Sequence, residues 1–88
     1  MDMEEVISIQ GPVEKLEGNL TLLIPLDAGG DQLVECSRGI GVVEGEHLKV
    51  MIPQWLADKL LIVEGDLVSV SNADGKFNIH PVNPRRIL

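Results

Sequence analysis

The chain has 88 residues and carries 14 acidic against seven basic side chains, a formal net charge of −7, which reverses the balance of a general nucleic-acid binder. At this length there is room for one domain, whose folding takes only about 60–65% of the unfolded surface out of water. The single Cys36 excludes an internal disulfide, and no apolar run approaches the roughly 20 residues that a membrane-crossing helix needs.

Charge is unevenly placed. Up to Asp66 there are four basic and thirteen acidic residues, and beyond it three basic and one acidic. Any attraction for an anion must therefore be local. Met1 to Glu5 is acidic, unlike a charged-then-apolar leader, and with the lone cysteine this places the protein in a reducing cytoplasm. Trp55 and Phe77 are the only aromatic residues, so Val, Ile and Leu must fill the interior, a composition that favours strands. A core this thin gains from covering an apolar face with a second copy.

In chain order, Val6 to Gln10 alternates, with Ile7 and Ile9 on one face, and predicts a short strand before the Gly11-Pro12 break. Val13 to Glu17 reads equally as a helical turn or a strand. Leu20 to Leu26 predicts a strand with Pro25 at its end. Asp27 to Asp31 is a glycine turn, followed by a strand over Gln32 to Cys36, a turn at Ser37-Arg38-Gly39, and another strand over Ile40 to Val43.

Leu48 to Ile52 is largely apolar at odd and even positions, which predicts burial on both sheet faces. Pro53 then opens a short helix over Gln54 to Leu61, with Leu56 and Leu60 on one face. So short a helix needs packing to hold it, and Trp55, Leu56 and Leu60 are expected against the sheet. After the Glu64-Gly65-Asp66 turn, Leu67 to Ser71 and Lys76 to His80 form a hairpin closed by Asn72-Ala73-Asp74-Gly75, and Pro81 and Pro84 stop further pairing. Residues 6–47 thus form a β-rich first half, 48–81 a strand-helix-hairpin unit and 82–88 a tail, in one domain. Two features occur twice, Ile24-Pro25 with Ile52-Pro53 and Val43-Glu44-Gly45-Glu46 with Val63-Glu64-Gly65-Asp66, with unequal spacing between them. They leave an internal duplication open beside completion of the fold by a second chain.

From Leu48 to Pro81 the order is Ile52-Pro53, Leu56-Ala57 and Leu60, Val63-Glu64-Gly65-Asp66, Val68 and Val70, Asp74-Gly75, then Ile79. This resembles the swapped-hairpin domain of the AbrB, MazE and SpoVT-type proteins, over about two fifths of the chain. The resemblance implies two copies interlacing their hairpins into one barrel, and a transcriptional regulator or antitoxin that binds operator DNA. Phosphate contacts would fall to Lys49, with Arg38 and Lys59. Core or dimer packing would fall to Ile52, Trp55, Leu56, Leu60, Val68, Val70, Phe77 and Ile79. Only Lys49 is basic on the strand before Ile52-Pro53, and only Val82 to Leu88 is left for a toxin-wrapping tail.

Other constellations read as structure. Cys36 has no histidine near it in sequence and suits a buried position better than a nucleophile paired with His47 or His80. Two histidines and one cysteine lack metal-ligand spacing. Asp27 to Asp31 lacks the rhythm of a calcium loop. Gly39-Ile40-Gly41 with Gly45 is one position off a dinucleotide fingerprint, with no helix after it. Glu44 and Glu46 flank a turn glycine, and Arg85 and Arg86 make a weak electrostatic footprint.

The expectation is a mainly β, non-enzymatic domain without cofactor or metal. Its architecture is a small barrel of short strands with one short helix, of swapped-hairpin or related double-psi-like topology. Its partners are a second copy and either DNA or another protein, not a membrane. The alternative function is a protein-interaction or scaffold module of the same fold that does not bind nucleic acid.

Overall fold

A computed structural model describes residues 6–84. The domain is mainly β with one short α-helix, as the aliphatic composition requires. In order, the strands are β1 (Ser8–Pro12), β2 (Glu14–Leu16), β3 (Asn19–Pro25), β4 (Gly41–Glu44), β5 (His47–Met51), β6 (Leu67–Ser71) and β7 (Asn78–Pro81), with α1 (Gln54–Leu60) between β5 and β6. They form two antiparallel sheets, one in the order β1-β6-β7 and the other β2-β3-β5-β4.

The expected barrel is not what forms: the two sheets are not closed into one. The chain passes between them at Val13, directly after β1 and before β2. Its N–H donates to the Asp66 carbonyl (2.9 Å), and its carbonyl accepts from the Gly65 N–H (2.8 Å). The Val63 to Asp66 turn is held in turn by its own carboxylate, since Asp66 Oδ2 accepts the Val63 N–H at 2.9 Å.

One core lies between the inner faces. Leu22 and Ile24 of β3 sit opposite Val50 and Leu48 of β5, and Val68 and Val70 of β6 come from the other sheet. All six are essentially out of water, and each contributes about 1.5–3 kcal/mol by burial. Gly11 lets the sheets approach, because a Cβ there would stand 3.1 Å from the Leu22 Cδ1. Val13, Leu33, Ile52, Ala57 and Ile62 complete the interior, and Leu56, Leu60, Phe77 and Ile79 pack around it partly buried.

Several expectations change. The strand over Gln32 to Cys36 is replaced by 3-10 helix at Leu26–Ala28 and Gly30–Leu33 followed by turns. The Ser37 N–H donates back to the Leu33 carbonyl at 3.0 Å. Leu33 and Ser37 are buried while Asp31, Gln32 and Glu35 are exposed, a four-residue recurrence that strand alternation cannot produce. Trp55 is not packed on the sheet: it is 67% exposed, and Ala57 is the buried residue of α1. Neither is β5 buried on both faces, for Leu48 and Val50 point in while His47 and Met51 are exposed.

The proline and glycine breaks are also less final than expected. β1 runs on through Gly11 and Pro12, opposite Val68 and Leu67. Pro81 pairs with Val68, and the Val82 N–H still donates to the Leu67 carbonyl at 3.0 Å. Both prolines lie on edge strands, where a missing donor costs little. Val13 to Glu17, left open by the sequence, is the first arm of a hairpin. Its two-residue loop Glu17-Gly18 has φ of 52° and 83°, the pattern of a type I′ turn.

The twin Ile-Pro segments end β3 and β5, which pair with each other, whereas one Val-Glu-Gly-acid segment turns β4 into β5 and the other leads into β6 of the second sheet. β5 lies between β3 and β4, and β6 between β1 and β7. The strand-helix-hairpin unit is thus woven into the first half of its own chain. Among the described residues no helix is long and apolar enough to cross a membrane.

Two substitutions test this account by thermal melting. Glu17→Asn replaces a residue strained at positive φ by one that tolerates it, and should raise stability by about 0.5–1 kcal/mol. Gly30→Ala should lower it by about 1–3 kcal/mol, because the added Cβ would stand 2.8 Å from the Pro25 carbonyl oxygen and 2.9 Å from that of Ile24.

Candidate interaction surface

The outer face of the four-stranded sheet follows from strand alternation. With Leu22, Ile24, Leu48 and Val50 directed inward, their neighbours take the opposite face, where Thr21 is itself fully covered. The register then lines up Leu23 of β3, Lys49 of β5 and Val42 of β4 as one cross-strand row, with Met51 one step along β5 opposite Thr21. Leu23, Val42 and Met51 are 37%, 51% and 38% exposed. Three large apolar side chains therefore meet water on one continuous face. Trp55 is the second residue of α1, four residues after Met51.

Lys49 lies in the middle of this row, its side chain only 18% exposed, and its Nζ is 3.8 Å from Glu44 Oε2. Its aliphatic stem extends the apolar row between Leu23 and Val42 while its charge is turned towards a carboxylate. That placement suits a contact face better than a phosphate clamp. Arg38 stands in the turn before β4 and pairs with Glu35 at 3.2 Å. Lys59 is exposed in the last turn of α1, beside Asp58. The three cations expected to bind phosphate thus belong to a strand, a turn and a helix, and two of them already face carboxylates. Arg85 and Arg86 lie outside the described residues.

Around the apolar row the surface is acidic. Glu14 and Glu44 share the outer face, and Asp27 and Glu46 flank its His47 end. Asp27, Glu46 and His47, with Pro25, Leu26 and Gly45, line an open trough of about 390 Å³. Glu44 and Glu46 bracket Gly45 at the β4–β5 hairpin, where the solvated-turn reading fits their exposure.

The remaining sequence candidates are scattered. Cys36 is half-buried, its Sγ donating to the Leu33 carbonyl at 3.5 Å. It borders a shallow groove with Gln32, Glu35, Asn72 and Gly75, which neither histidine lines. Asp27 to Asp31 is taken up by the 3-10 segments. Gly41 lies so close to the Ser37 hydroxyl that any side chain would collide with it, a packing role. Among the described residues no group of three or more His, Cys, Asp or Glu is placed to hold a metal ion.

Sequence reasoning missed Leu23, Val42 and Met51 as surface residues. The one signal was that Leu23 and Met51 are apolar on the parity that also carries Thr21, His47 and Lys49. Compared with family models, with curated proteins and with solved structures, the chain matches none of them. Its likeness to the swapped-hairpin domains therefore rests on the motifs of residues 48–81 alone.

Proposed function

We propose that this domain is a non-enzymatic protein-interaction module whose contact face is the outer face of the four-stranded sheet. The observation that carries this reading is the row Leu23, Lys49 and Val42 with Met51 beside it, an apolar strip at the surface of an acidic domain. Exposed apolar contiguity on a small protein is the ordinary mark of a partner site. The carboxylates of Glu14, Glu44, Glu46 and Asp27 around the strip define the partner's chemistry: an apolar segment flanked by Lys or Arg. Such complementarity gives specificity and faster association. Trp55, exposed next to this strand end, is the residue type that most often anchors an interface.

The resemblance to the AbrB-type domains supplies the competing reading, a DNA-binding regulator with Lys49, Arg38 and Lys59 on phosphates. The pairing of Lys49 and Arg38 with carboxylates favours the protein partner.

One titration series separates the two. Peptides with a Leu/Val/Ile core and Lys/Arg flanks are expected to shift the amide resonances of β3, β4 and β5, whereas the same cores with Glu flanks do not bind. Leu23→Lys and Met51→Lys should each weaken binding about tenfold or more without loss of fold. No shift in these strands with any basic-flanked peptide would sink the reading. Binding of a DNA duplex at low salt, where phosphate attraction is strongest, with shifts at Lys49, Arg38 and Lys59, would replace it by the regulator.

Trp55 offers a second readout. As the only tryptophan, it should give the red-shifted emission of an indole in water, and Trp55→Ala should change stability by less than about 0.5 kcal/mol. A blue-shifted emission from the isolated chain would contradict the exposed placement.

A further inference from the structure

Sheet edges attract other strands unless something blunts them. This fold has four edges among the described residues, and three are blunted. β1 contains Pro12, β7 contains Pro81, and β2 is three residues long with Glu14 and Lys15 on it. β4, Gly41-Val42-Val43-Glu44, has neither proline nor lysine, and Val42 and Val43 are 51% and 48% exposed. No described strand pairs with its far side.

The ladder shows which backbone groups that side offers. The Met51 N–H donates to the Ile40 carbonyl at 2.9 Å, so residues 40, 42 and 44 are those whose backbone groups face β5. Val43 therefore points its N–H and its carbonyl away from β5, towards open solvent. Gly41 has the same parity, but its N–H is already taken by the Ser37 carbonyl at 2.7 Å. Val43 is left as the residue with both groups directed outward.

We infer that β4 pairs antiparallel with β4 of a second copy of this chain, centred on Val43. In that register Val43 lies opposite Val43 of the second copy and the two exchange both of their hydrogen bonds. Val42 lies opposite Glu44 of the second copy, and Gly41 comes beside its turn glycine, Gly45, which is at positive φ. Three features make the strand its own complement. The central pair is valine on valine, favourable across strands. Glycines meet at both ends, so no side chains collide. Matching parity keeps the inner and outer faces of the two sheets continuous, giving an eight-stranded sheet with both Leu23-Lys49-Val42 rows on one side. The edge pair is made by the backbone of β4 and the proposed partner site by outer-face side chains, Val42 and Glu44 lying on both, and their tests differ, so either reading can fail without the other.

So short a ladder makes a weak dimer, with a dissociation constant on the order of micromolar or above. Two chains of net charge −7 also repel each other, so added salt should tighten it. The test is the solution mass of the full chain from about 1 μM to 1 mM, by sedimentation, with Val43→Pro beside it. Proline at an edge position removes an outward N–H without touching the β5 ladder. The native chain should pass from 9.6 kDa to twice that value, and Val43→Pro should raise the dissociation constant about tenfold or more while keeping its circular dichroism. A native chain that stays monomeric throughout, or a dimer indifferent to Val43→Pro, overturns the inference. Should Val43→Pro fail to fold, the Val43→Cys, Cys36→Ser chain decides: a disulfide-linked dimer on mild oxidation is expected, and its absence at the highest concentration overturns the pairing.

Discussion

Everything in this domain depends on how Val13 is held. The segment from Ser8 to Leu16 serves two sheets, pairing with β6 up to Pro12 and with β3 from Glu14. Between them Val13 is 1% exposed, and both of its backbone groups are bonded to the Gly65-Asp66 turn. A chain that changes sheets must keep its buried polar groups satisfied at the crossing. The turn does this, and its own shape is secured by the Asp66 carboxylate. Loss of this clamp would free both sheets at once, since β1, β2 and β6 all meet there.

The clamp also decides which surfaces stay open. Because β1 is spent on β6, the four-stranded sheet has the short β2 at one edge and β4 at the other. Because the three-stranded sheet and α1 contribute to the same core from one side, Leu23, Val42 and Met51 on the outer face of β3, β4 and β5 are left to water. The apolar row and the bare edge are thus consequences of one arrangement. A protein partner on the face and a second copy on the edge would cover the two kinds of surface that a small aliphatic domain cannot cover itself.

Much of this was readable from residues alone. The ends of β3, β5 and α1 follow from Pro25, Pro53 and the apolar spacing, and the last hairpin from Asp74-Gly75, both at positive φ. Buried positions in β6 follow from its alternation of Val68 and Val70 with serine. The misreadings have physical causes. Gln32 to Cys36 has the composition of a strand, but Gly29 and Gly30 turn the chain so tightly that Leu33 reaches the core from a 3-10 helix. Trp55 is apolar and lies in an amphipathic stretch, yet it stands two positions from the buried Ala57, on the opposite side of α1. Glu17 and Leu61 hold left-handed conformations that neither residue type advertises.

By itself the sequence determined a mainly β domain, most of its turns and the one helix, because these arise from local periodicity and the stereochemistry of proline and glycine. It also determined that any affinity for an anion must be local, because net charge is a sum over residues. Only the tertiary structure decided which apolar residues are core and which are surface. In β3 and β5 the outward parity holds Thr21, His47 and Lys49 but also Leu23 and Met51, whose residue types alone do not mark them as surface. That distinction is made by the crossing at Val13, which sets the second sheet against one face and leaves the other bare.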